Sequence, residues 1–117
     1  MINNRLILNI YENKSSKKKI STQLLYGDKF RIIKRFNNAL KIKTSYDNYV
    51  GYITKRKFPE NEKQTHKISI LKAKLYSQPN LKSKLNKCIS FCSYIKVKNY
   101  KNNFYSFDKY WIKKKDV

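Results

Sequence analysis

Scarcity says most about this 117-residue chain. Two cysteines are too few for a small secreted scaffold stapled by disulfides. Two glycines, Gly27 and Gly51, lie too far apart to build a glycine-rich phosphate loop. The single histidine, His66, leaves Cys88 and Cys92 without the partners of a zinc site or a catalytic thiol. No carboxylate pair stands out, so neither a cofactor nor a metal is implied. The apolar stretch near Leu6 is too short for a signal-peptide core or a membrane span, and the chain reads as soluble and cytoplasmic, with association with the cell envelope as the alternative. No segment carries an amphipathic helical pattern.

Acids are scarce as well: seven Asp and Glu face 28 Lys and Arg, a net charge of +21. Such a surface attracts phosphate, which makes a nucleic acid or another polyanion one candidate partner. Lysine, however, outnumbers arginine 24 to 4, whereas phosphate and base recognition favours the arginine fork. Lys, Asn, Ile, Tyr and Phe make up 66 residues, all with AT-rich codons, and residues 1–58 and 65–117 each carry +11. Codon bias would produce that even spread without a selected partner.

What is present is a repeat, with a spacing of about 65 residues. Ile10-Tyr11 is matched by Leu75-Tyr76, Leu24 by Ile89, Phe30 by Ile95, and Asn37-Asn38 by Asn102-Asn103. After a shorter loop, Tyr52-Ile53 is answered by Trp111-Ile112. The unit is too long for a solenoid and suits a small domain. Short β-rich runs with period-two alternation predict strands at residues 6–10, 22–25, 30–36, 40–44 and 50–54 of the first copy. In the second copy they fall at 68–75, 87–91, 94–98, 103–107 and 110–113. Residues 59–64, opened by Pro59, read as the linker, and residues 12–19 and 77–84 as the long loop of each copy. The boundaries are therefore 1–58 and 65–115.

Ser21-Thr22-Gln23-Leu24-Leu25-Tyr26-Gly27-Asp28-Lys29-Phe30 and Asp47-Asn48-Tyr49-Val50-Gly51-Tyr52-Ile53 carry a family likeness. They resemble the "(S/T)QLLYGE-x-F" and "DGYVGW(I/V)" signatures of the first SH3-like domain in NlpC-type cell-wall cysteine peptidases. Leu75-Tyr76-Ser77-Gln78-Pro79-Asn80 resembles the "hYxxPD" start of the more divergent second copy. The resemblance implies an all-β chain of two tandem small SH3-like β-barrels, non-catalytic in itself. It implies a binding module for peptidoglycan peptide, serving or split from a peptidase catalytic domain. It also implies that Asp28 and Tyr49, with Tyr26 beside them, hold the free amine of such a peptide. A carboxylate suits an ammonium, because charge-assisted hydrogen bonds favour a free amine over a blocked one. Asp28 and Asp47 could equally be turn residues.

Two departures from the family pattern stand out: Cys92 replaces a glycine of the second copy, and Asn48 the glycine of "DGY". Asn tolerates the left-handed conformation. Gly51 is expected where a side chain would clash. Tyr52 and Trp111 are expected as core or rim aromatics. Cys88 and Cys92 are expected on one strand, about 13 Å apart and buried or half-buried, too far for a disulfide unless the strand breaks. Two other readings stand beside the cell-wall module: polyanion binding by lysines and stacking tyrosines, and a decayed remnant without activity.

Overall fold

The structure is a computed structural model that describes residues 1–14, 20–60 and 63–117. Part of the predicted loop (residues 15–19) and part of the predicted linker (Asn61 and Glu62) lie outside the described residues. The chain divides into two compact units, Met1–Asn61 and Glu62–Val117. The described residues hold no α-helix, and apart from two short 3-10 turns the ordered structure is antiparallel β, as the sequence implies.

The first unit contains β1 (Ile7–Tyr11), β2 (Ile20–Leu25), β3 (Phe30–Arg35), β4 (Ala39–Thr44) and β5 (Val50–Thr54), arranged in the order β2-β1-β5-β4-β3. Alternation sets which side chains turn inward. On β4, Leu40 and Ile42 are buried while Lys41 and Lys43 keep one side in water. These join Ile10, Leu24, Phe30 and Ile53 in one core, with Phe58 edge-on to Phe30 at 5.0 Å between ring centres. On β3 the alternation fails because a register shift between Ile32 and Lys34 inserts one residue. That bulge turns Ile33 to solvent despite its apolar side chain.

The second unit contains β6 (His66–Lys67), β7 (Lys72–Tyr76), β8 (Lys84–Ser90), β9 (Tyr94–Ile95), β10 (Asn99–Lys101), β11 (Phe104–Phe107) and β12 (Tyr110–Lys113). Its main sheet runs β10-β11-β12-β7-β8, the same order as the first unit read from the other edge. The repeat seen in the sequence is therefore a repeat of topology. Tyr11 pairs with Tyr52 in one unit, and Tyr76 pairs with Trp111 in the other. Tyr52 and Trp111 are both half-buried.

Four strand expectations in the second copy need correction. The strand predicted at 87–91 begins three residues earlier, as Lys84–Ser90. The strand predicted at 68–75 begins only at Lys72, because Ile68 donates its N–H to Ser93 O and Ser69 to Asp116 O. The strand predicted at 94–98 stops at Ile95, and a separate strand, β10, follows. The strand predicted at 103–107 starts one residue later. Asn102 and Asn103, with φ of 52° and 65°, form the two-residue turn between Lys101 and Phe104. Paired positive φ is what such a hairpin requires, and Asn tolerates it.

Each unit also has an N-terminal arm that the strand reading missed. In the first, Met1 and Phe30 exchange hydrogen bonds, and Ile2 bridges Lys29. In the second, β6 pairs with β9 through the equivalent residues His66 and Ile95. The arm then meets a tight turn. Asn3 N–H donates to Asp28 O (2.9 Å) and Gly27 N–H to Asn3 O (2.8 Å). Ile68 N–H donates to Ser93 O (3.0 Å) and Cys92 N–H to Ile68 O (3.2 Å). Gly27 has φ 84° and Cys92 φ 69°. Cys92 therefore lies in a turn beyond β8, not on a strand with Cys88, and Cys88 is exposed rather than buried or half-buried.

Two substitutions test these backbone demands. A Cβ on Gly51 would sit 2.3 Å from Ile10 Cγ2 and 3.2 Å from Tyr11 O. Gly51→Ala should destabilise the first unit by about 1–3 kcal/mol, read as lost amide-exchange protection in β4 and β5. Cys92→Gly should raise the second unit's denaturation midpoint, a gain of about 0.5 kcal/mol after the flexibility of unfolded glycine is counted. Fluorescence of Trp111, the one tryptophan, reports that transition.

Candidate functional site

The residues singled out by the sequence gather at the turn after β2 and the loop before β5. Leu25 O accepts from Asp28 N–H at 3.1 Å, which closes a four-residue turn with Gly27 in the left-handed position. The Asp28 carboxylate folds back and accepts from Leu25 N–H at 2.8 Å. Ser45 N–H donates to Lys29 O at 3.0 Å, joining this turn to the second loop. There, Thr44 Oγ1 donates to Asp47 Oδ1 and accepts from Tyr49 N–H at 2.9 Å. Tyr49 N–H also reaches Asp47 Oδ1 at 3.3 Å, and Asn48 takes φ 57° between them. The expectation that Asn48 adopts the left-handed conformation holds.

The three predicted ligand residues differ in what they offer. Asp28 is half-buried. Tyr49 is partly buried, its ring packed on the core beside Gly51. Tyr26 is only 8% exposed, so its ring serves the interior and presents little to a ligand. Asn3 is the residue that sequence reasoning missed. It is fully buried, and its Nδ2 donates to Leu25 O (2.9 Å), Arg5 O (3.0 Å) and Leu24 O (3.3 Å). Its Oδ1 accepts from Arg5 N–H at 2.9 Å. Asn3 thus ties the arm to the very turn that carries Asp28. The signal was present in the repeat, where a polar Asn3 stands at the position of the apolar Ile68.

Electrostatics separate the two acids. Burial, followed by the charge of Asp47, holds the Asp28 carboxyl above its ordinary value, against the lowering effect of the Leu25 N–H. The Thr44 hydroxyl, aided by the Tyr49 N–H, holds the exposed Asp47 below it. A half-desolvated carboxylate that feels a second negative charge is relaxed by a nearby cation. A carboxylate can accept about four hydrogen bonds, so the bond from Leu25 leaves capacity for an outside donor.

In the second unit the counterpart of Asp28 is Ser93, fully buried, whose Oγ meets no hydrogen-bond partner among the described residues. The acidic corner is a property of the first unit. Among the described residues no three His, Cys, Asp or Glu side chains gather as metal ligands would, and no helix is long and apolar enough to cross a membrane.

Residues 10–58 match the family model described as the bacterial dipeptidyl-peptidase SH3 domain. No curated protein and no solved structure matches the chain. The matched span runs from β1 past β5 and contains Tyr26, Asp28 and Tyr49. The match supports a bacterial SH3-like domain over these residues, and the matched domain is a non-catalytic type of module.

A raised carboxyl pKa has a defined sign. The stability linked to Asp28 is fully present below its unfolded value and is lost as pH rises through the folded one. Asp47 works in reverse, losing its contribution as pH falls through its lowered value. Asn at position 28 can still accept from Leu25 N–H without the charge. Asp28→Asn should therefore match the parent near about pH 3 and become progressively more stable than it towards about pH 7, in denaturation series across that range.

Proposed function

We propose that the chain is a non-catalytic binding module that recognises the free amino terminus of a peptidoglycan peptide and serves, or is split from, an NlpC-type endopeptidase. The observation that carries this reading is the carboxylate of Asp28. Its turn needs an acceptor for Leu25 N–H, not a charge, yet the residue present is an acid held half-buried beside Asp47. A group kept at a cost in stability points to work done by its charge. An ammonium placed there gains charge-assisted hydrogen bonds and relieves the repulsion between the two acids. Tyr49, braced by Thr44 and Asp47, forms the neighbouring wall for the peptide's first residue. The matched family description, an SH3 domain of bacterial dipeptidyl-peptidases, supports a role beside a peptidase.

Polyanion binding through lysines is the second reading. It draws on the second unit, where Tyr100 and Tyr105 lie 5.6 Å apart between ring centres, with Lys114 over Tyr100 at 5.4 Å.

Titration of the intact chain with an L-Ala-γ-D-Glu-containing peptide, free and N-acetylated, at two salt concentrations tests the first reading. The free peptide should bind saturably and the acetylated one about tenfold or more weakly, as loss of a charge-assisted pair implies. Asp28→Asn should weaken the free peptide to the same degree. Equal binding of both peptides would remove the amine role. Binding confined to an oligonucleotide and falling steeply with salt would assign the function to the lysines.

A further inference from the structure

The second unit carries a groove of about 840 Å³ that the acidic corner does not explain. Its walls are the loop after β7, the Asn102-Asn103 turn, and the chain leaving β12. Those walls are tied together: Asn102 Nδ2 donates to Pro79 O at 3.5 Å, and Lys114 N–H to Asn103 O at 2.9 Å. The Asn80 carboxamide accepts from Ser83 N–H at 2.9 Å and sets the loop's short 3-10 turn. The groove is therefore already shaped before any ligand enters.

Its lining has two chemistries. Leu81, 68% exposed, gives an apolar surface, backed by the largely buried Phe104 that Tyr76 braces edge-on at 5.0 Å. Lys113, Lys114 and Lys115 line one side in succession. Lys74 and Lys84 stand near Lys113, and the Lys74 contact and charge push the Lys84 ammonium down. The second unit offers these cations little relief. Residues 65–117 contain only Asp108 and Asp116; Asp116 is buried, and Asp108 lies at the opposite end of β11. Such a crowd of like charges is relaxed by an anion.

The apolar part decides which anion. Bases stack on exposed aromatic faces, whereas Phe104 is buried and Leu81 is aliphatic. The nearest exposed ring, Tyr100, has its hydroxyl on Asn103 Oδ1 at 2.7 Å and an ammonium over its face. An aliphatic side chain fits this lining better than a base does.

We propose that this groove is a binding site for an acidic, extended peptide segment bearing at least two carboxylates and one aliphatic side chain. Leu81 receives the side chain, with the largely buried Phe104 as the floor behind it, and Lys113–Lys115 the carboxylates. The site is independent of Asp28 and does not rest on the amine reading.

The test is calorimetric or fluorescence titration of the intact chain with Ac-Glu-Leu-Glu-Glu-NH2, against Ac-Gln-Leu-Gln-Gln-NH2 and a short oligothymidylate. Blocking the amine separates this site from the acidic corner, so either site can fail while the other stands. The acidic peptide should bind saturably and the glutamine peptide should not. The K114Q/K115Q double variant should weaken binding about five- to tenfold, as two partly exposed ion pairs would. Leu81→Ser, at an exposed position that should not disturb folding, should also weaken it. The double variant K55Q/K57Q, which removes equal charge from the first unit, should leave it unchanged. Equal loss in both double variants, equal binding of the two peptides, or displacement of the acidic peptide by the oligothymidylate without effect of Leu81→Ser would overturn the assignment.

Discussion

The rest of each unit hangs on an exchange of backbone hydrogen bonds between the N-terminal arm and the left-handed turn after the second strand. In the first unit Asn3 exchanges with Gly27 and Asp28; in the second Ile68 exchanges with Cys92 and Ser93. The turn must be left-handed for its N–H and C=O groups to face the arm, and only then does the next strand leave in the direction that brings Phe30 or Ile95 into the core. The arm in turn cannot be spared, because it supplies the partners these buried groups would otherwise lack. Arm, turn and third strand are one constraint, kept in both copies although only the first retains glycine there.

On that shared frame the two units carry opposite chemistry. The first places an acid at the turn and a second acid in the facing loop. The second replaces Asp28 with buried Ser93 and shortens the loop that holds Asp47 to the two residues Asp108-Lys109. Its charge is instead the lysine side of the groove beside Phe104. A duplicated frame can diverge in this way because backbone bonds and core packing maintain the fold, while loops and turn side chains remain open to change.

Much of the fold was legible in particular residues. Leu40-Lys41-Ile42-Lys43 alternates, and it forms an interior strand with one buried and one wet face. Val50–Thr54 and Tyr110–Lys113 fall where their β-rich composition puts them. Gly51 was read as a place without room for a side chain, and Ile10 fills that room. Failures lay where a residue answers to a distant partner. Ile68 looks like the first residue of a strand, yet its hydrogen bonds go to Ser93 and Cys92. Ile33 looks like core, yet the bulge beside it turns it outward. Asn3 drew no reading from the sequence, yet it is fully buried and its carboxamide is hydrogen-bonded to Leu24, Leu25 and Arg5.

At the candidate site the division is similar. Asp28 and Tyr49 could be singled out because acids are rare and both residues sit in family-like motifs, and the charge of Asp47 reaches Asp28. Tyr26 could not be assigned to interior or surface, since a tyrosine suits both, and the turn puts it inside. By itself the sequence determined the all-β character, the duplication and the placing of scarce acids, because alternation, repeat spacing and composition are local properties of a chain. Only the tertiary structure decided which strands the arm joins, that Cys92 adopts a glycine's conformation, and that Leu81, Phe104 and three lysines share one groove. Each of those depends on residues far apart in sequence meeting under the geometry of hydrogen bonding and close packing.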